Sequence, residues 1–299
     1  MSQNQMDLLE ERVSLHSGQY IHTPPQAMLG LLLPDLEEVQ TLASDRQPAV
    51  VQCRLSEMTA VMAILVADAL MKLGRLPESR AWYATARAAA DDGGNLDLRA
   101  RVRAQAAMLP YYYGPLNEAV RLARDARMMV RHPSPTAALA AAAEARALAR
   151  QGDAGRALEA INRAMAMHEQ AQHPEDEQDA FAFPHRRLLF YLSGAYTFLG
   201  QTGRARRVQR QALDLYHDES VIDPALLHLE AAICLAREHS VSEACELAGA
   251  TYLQIPEEHR TSIVSARARH VMEVIPPSKR SGRAARELTE ILALPPARM

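Results

Sequence analysis

The sequence predicts an all-α chain of successive antiparallel helix pairs, and three observations predict it. Small residues recur at fixed offsets behind a series of turn positions. The composition favours helix, since alanine and arginine are strong helix formers and both are abundant. No stretch alternates apolar and polar residues long enough to make a strand. Only 5% of residues are aromatic, which suits helices brought close by alanines better than a core of large rings.

Residues 1–50 are read as N-terminal helices packing on the repeated helix pairs. Two helices are expected over residues 6–46, the second ("AMLGLLLPDLEEVQTLA") entered after Pro24-Pro25, a favourable helix start. Residues 51–255 carry the repeated pattern. Turn anchors fall at Gly74, Gly114, Gly152, Gly200 and His239. Counting 5, 9 and 12 residues on gives Ser79, Tyr83 and Ala86; then Ala119, Ala123 and Ala126; then Ala157, Ile161 and Ala164. The fourth and fifth copies give Ala205, Gln209 and Ala212, then Ala244, Ala248 and Thr251. These offsets keep one side of the second helix small, so that a neighbouring helix approaches closely. The preceding helix matches too: 4, 7 and 8 residues before Gly200 lie Tyr196, Ser193 and Leu192, and before Gly74 lie Leu70, Ala67 and Val66.

This is the helix–turn–helix grammar of tetratricopeptide repeats, with the anchors 40, 38, 48 and 39 residues apart where the standard period is about 34. The predicted fold is a divergent tetratricopeptide-like α-solenoid, a right-handed superhelix of antiparallel helix pairs with extra N- and C-terminal helices, running as one continuous domain. The 48-residue spacing contains "AMHEQAQHPEDEQDAFAFP" (166–184), acidic and proline-bearing, which predicts a solvated loop. Residues 256–299 are read as two capping helices around a "PPSKRSG" linker.

The string "ESRAWYATARAAADDGGNLDLRARVRAQAAMLPYYYGPLNEAVRLARDAR", with "ARALARQGD", "FPHRRLLFYLSGAYTFLG" and "SIVSARARHV", resembles the tetratricopeptide-like C-terminal region of actinobacterial XRE-type helix-turn-helix transcriptional regulators. The resemblance runs from residue 26 onward and implies a sensor or interaction module. In that family a five-helix DNA-binding domain precedes this region, and the stretch before residue 26 is too short to hold one. Repeat motifs specify architecture well and partners poorly, so the implication stops at fold and role.

Several function classes lack their signatures. His168 and His173 of "HEQAQH" stand five apart, roughly 140° around a helix, so they do not form an i, i+4 metal pair. The chain contains no HExxH, paired CxxC, GxSxG or phosphate-cradling GxxxxGK[ST]. No catalysis, metal or obligatory cofactor is expected. Net charge is −3, and the basic runs "RARRVQR" and "KRSGRAAR" lack interleaved aromatics, so direct nucleic-acid binding is not expected either. The opening "MSQNQMDLLEERV" is not a signal peptide, and the longest apolar stretch, Val61 to Met71, is short for a membrane span and carries Asp68. Three scattered cysteines, Cys53, Cys234 and Cys245, suit a reducing cytoplasm and are read as small buried thiols.

The first helix of each pair is expected to line a concave surface that binds peptides, helices or small ligands. By register, residues 13, 10, 6, 3 and 2 before each anchor face it. The chemically informative ones are Asp68; Arg101, Met108, Tyr111 and Tyr112; Arg146 and Arg150; Arg187, Phe190 and Phe198; and Arg237. Five of these are arginines, whose planar forks recognise carboxylate and phosphate. The expected partner is a protein or peptide, or an anionic small molecule with an apolar part; a second copy of the chain is a further candidate. The reading is a cytoplasmic regulatory or adaptor protein in transcriptional, developmental or secondary-metabolism regulation. Its alternative is a solenoid turned into a small-molecule-binding protein or biosynthetic enzyme with a closed central pocket. Pairing of the arginines with acids such as Glu144 or Glu230 is the competing explanation for their abundance.

Overall fold

The structure, a computed structural model, describes residues 2–172, 179–216 and 221–293. Every described element is a helix. The helices are α1 (Gln3–Gln19), α2 (Pro25–Ser44), α3 (Ala49–Lys72), α4 (Leu76–Gly93), α5 (Leu96–Ala106), α6 (Met108–Tyr113), α7 (Leu116–Met129) and α8 (Pro135–Gln151). They continue as α9 (Ala154–Gln170), α10 (His185–Phe198), α11 (Thr202–Leu213), α12 (Ile222–Arg237), α13 (Val241–Gln254), α14 (Ser262–Val274) and α15 (Arg283–Leu292). The fold is all-α and tetratricopeptide-like, as the repeated pattern predicts.

The turns explain why the pattern is visible. Gly74, Gly152 and Gly200 have φ of 78°, 85° and 70°, the left-handed region that side chains with a Cβ avoid. Each closes its helix in the same way. The amide of Gly200 donates to Thr197 O and that of Gln201 to Tyr196 O, at 3.2 and 3.0 Å, so the last carbonyls are satisfied while the chain reverses. His239 adopts φ 68°, and the same pair of bonds forms there, from the His239 amide to Ala236 O and from the Ser240 amide to Leu235 O. Gly114 differs. Its backbone is extended, with φ −134°, and the glycine is needed for space, because a Cβ there would lie 3.0 Å from Pro110 Cα. Pro110 also accounts for the break between α5 and α6, since it has no amide to continue the helical bonding.

The small-residue register is met at the first step of every copy: Ser79, Ala119, Ala157, Ala205 and Ala244 are all fully buried. The described residues form two compact units. One lies within residues 1–144 and 162–184, and the other within 145–161 and 185–299. In the first, α3 packs on α2 and α4, and α5 on α7; in the second, α10 pairs with α11, α12 with α13, and α14 and α15 close over α12 and α13. By length and hydropathy α3 is long and apolar enough to cross a membrane, and half of that window is buried inside the protein. A core helix covered on all sides carries the same pattern.

Two expectations are corrected. The 166–184 stretch is not a solvated loop throughout: α9 runs to Gln170, and Ala180 to Pro184 are buried, with Phe183 1% exposed and the Ala180 amide bonded to Ser17 O at 3.0 Å. The apolar "AFAFP" ending decides this against the acidic composition. Residues 173–178, including His173, lie outside the described residues. Of the cysteines, Cys234 and Cys245 are buried, but Cys53 is exposed.

Candidate functional site

In the second unit, α8, α10, α12 and α14 bring arginines together around Phe198. Arg146, on α8, is 1% exposed and lies over the Tyr191 ring at 4.1 Å and Phe190 at 5.9 Å. One turn on, Arg150 stands 5.7 Å from the centre of the Phe198 ring. Arg267 approaches the same ring at 5.3 Å, and Arg237 donates to the Phe198 carbonyl at 3.5 Å. The ring of His270 tilts against Phe198 at 5.6 Å. Cations over aromatic faces keep their direction with little loss of hydrogen-bonding capacity, because the ring takes up the flat side of the guanidinium.

Glu230 is the acid within this cluster. It accepts a hydrogen bond from the Ser193 hydroxyl, whose oxygen in turn accepts from Gln209 Nε2 at 3.1 Å, and it lies 3.6 Å from Arg267. Burial pushes its carboxyl above the usual range against the pull of Arg267, Ser193 and Arg146. Gly194 makes the arrangement fit: a Cβ there would lie 3.1 Å from Arg146 Cδ and 3.2 Å from Glu230 Oε1. Burial pushes the His270 imidazole below its ordinary value, outweighing Glu273 at 2.8 Å.

Of the residues named from the sequence, Arg146, Arg150, Phe190, Phe198 and Arg237 meet here. Arg187 does not; it lies near Tyr216, whose hydroxyl donates to Asp223 Oδ2 at 3.0 Å. The first unit holds the others. Asp68 binds Lys72 at 2.7 Å and accepts from Tyr20 at 2.5 Å, and burial raises the Tyr20 phenol. Tyr111 is buried edge-on against Tyr112 at 4.9 Å, with Met108 half-buried at the start of α6. Arg101 pairs with Asp97 at 3.3 Å and with Thr136. It lies 5.7 Å from the Phe181 ring and lines a cleft of about 290 Å³ with Val61.

The register missed Arg267 and His270, because both lie on α14 beyond the last anchor. Their only signal was the helical string "SIVSARARHV". Glu144 is bound by Arg124 and Arg127 of α7 at 3.1 and 2.8 Å. Among the described residues no three His, Cys, Asp or Glu side chains converge as metal ligands.

No protein-family model and no curated sequence matches the chain. Among solved structures the chain is similar to a Rap protein determined in complex with Competence and Sporulation Factor. The TM-score is 0.51 at 9% identity, over 96% of this chain and 87% of that one. At that identity the likeness carries the fold alone.

Proposed function

We propose that this chain is a cytoplasmic regulatory or adaptor protein, without catalysis of its own, that binds an acidic peptide segment of a partner. The observation that carries the reading is the convergence of Arg150, Arg237 and Arg267 on Phe198. Guanidinium forks recognise a carboxylate in bidentate geometry, and the half-buried phenyl ring offers an apolar seat beside them. Glu230, 3.6 Å from Arg267, links this face to Arg146 beside Gly194. The Rap structure, solved with a bound factor, supports a binding role for the fold. The resemblance to the C-terminal region of helix-turn-helix regulators supports placing that role in transcriptional regulation.

A panel of fluorescein-labelled pentapeptides tests the reading, each made with a free C-terminal carboxylate and with an amide, and with acidic or neutral side chains. Anisotropy is expected to rise for acidic members carrying an aromatic or branched residue, and to fall with added salt. Equal binding of the acidic and the neutral members would remove the proposal.

A further inference from the structure

The cleft of the first unit lies among α1, α3 and α5, and its charge differs in kind from the arginine cluster. Val13, Met58, Val61 and Leu98 form an apolar floor, and the charged rim is Glu10, Glu57, Asp97, Arg54 and Arg101. Both guanidiniums on this rim are engaged with carboxylates. Arg54 Nε donates to Glu10 at 2.7 Å, and the same side chain reaches towards Asp7 at 3.6 Å. Arg101 is held by Asp97 at 3.3 Å and by Thr136, which itself donates to Asp97 at 2.9 Å. That leaves Glu57, half-buried above the floor, whose carboxylate has no ion pair or hydrogen bond to any described residue. Space for its stem is made by Gly93 at the end of α4, where a Cβ would come within 2.8 Å of Glu57 Cγ.

We infer that this cleft is a binding site for an arginine side chain of an extended peptide segment, with Glu57 as the carboxylate that receives the guanidinium. The methylene stem covers Val61 and Met58 while the fork pairs with Glu57, a bidentate charge-assisted contact. At about 290 Å³ the cleft is at the small end for ligand pockets, which run from about 300 Å³, and suits one side chain better than a whole metabolite. Glu10 and Asn95 are exposed at its edge, so the peptide backbone stays outside. This site does not rest on the acidic-peptide reading of the second unit, and the probe that tests it carries no carboxylate.

The methyl resonance of Met58 reports on the cleft in the full chain labelled with 13C-methyl methionine. N-acetyl-arginine methylamide is titrated in, with the norleucine compound as uncharged counterpart. The Met58 signal is expected to shift saturably with arginine and to stay in place with norleucine. Glu57→Gln is expected to weaken binding about tenfold or more, as loss of a charge-assisted hydrogen bond does. Gly93→Ala, which keeps every charge but displaces the Glu57 stem, is expected to weaken it as well. Unchanged affinity in both variants, or equal shifts with norleucine, would overturn the assignment. Tighter binding of agmatine than of the amide-capped arginine would assign the cleft to a free amine and overturn the peptide source.

Discussion

Glu144 in the first unit and Glu230 in the second are both buried among arginines, at 3% and 1% exposure, yet they are held differently. Glu144 receives Arg124 and Arg127 from α7 at 3.1 and 2.8 Å, and those arginines keep 43% and 25% of their side chains in solvent. It acts as a joint between α7 and α8. Glu230 meets Arg267 at 3.6 Å, and Arg267 is 5% exposed. Its firmest bond is to the neutral Ser193 hydroxyl. The same residue types thus make a closed joint in one place and a loosely matched, desolvated cluster in the other. Buried, perturbed charges of the second kind cluster at functional sites.

The largest expected effect sharpens this contrast. Glu230→Gln withdraws a carboxylate from buried arginines and is expected to cost about 3–5 kcal/mol. Glu144→Gln leaves arginines that can rehydrate and is expected to cost no more than about 1 kcal/mol. Urea midpoints read both, and equal losses would break the comparison. Next come the small-residue contacts, which are the same in both units. Ala119→Leu and Ala205→Leu are each expected to lose about 1–3 kcal/mol by overpacking. Ala250→Leu, on an exposed face of α13, is expected to be near neutral. A smaller effect falls at the turns. His239→Gly relieves a left-handed residue and is expected to gain about 1 kcal/mol, whereas Gly200→Ala at φ 70° is expected to lose a similar amount.

The smallest effect is a pH dependence carried by His270 in the second unit. Burial depresses the His270 pKa below 6.5, against Glu273 and together with Arg267 and Arg150. The unfolded chain therefore binds this proton more readily than the folded one. The contribution is fully present above the unfolded value and is lost as pH falls from there through the folded value. Thermal melts between pH 7.5 and 5.5 are expected to fall less steeply with acid in His270→Gln than in the parent; identical slopes would contradict the assignment.

The fold was legible because its devices are local. A left-handed turn selects glycine, and a close helix contact selects alanine at fixed offsets, so Gly152 with Ala157 and Gly200 with Ala205 announce themselves. Gly114 was found by the same count for a different reason, since there the glycine makes way for Pro110. Three of the four arginines of the cluster, Arg146, Arg150 and Arg237, were legible from the repeat register, as was Phe198. Arg267 and His270 were not, because α14 reaches Phe198 only through tertiary packing. Glu57 was equally hidden. It falls outside the register positions, and its isolation depends on Arg54 and Arg101 being taken by other acids.

The most direct measurement is a calorimetric titration of the tightest carboxylate pentapeptide into the parent chain and into the double variant Arg150→Gln/Arg237→Gln. Arg283→Gln, whose side chain is 88% exposed at the start of α15, is the control. Binding is expected to weaken at least about tenfold in the double variant, the size of a lost charge-assisted contact, and to stay unchanged in the control. Unchanged affinity in the double variant, with helix content intact by circular dichroism, would contradict an arginine-lined peptide seat around Phe198.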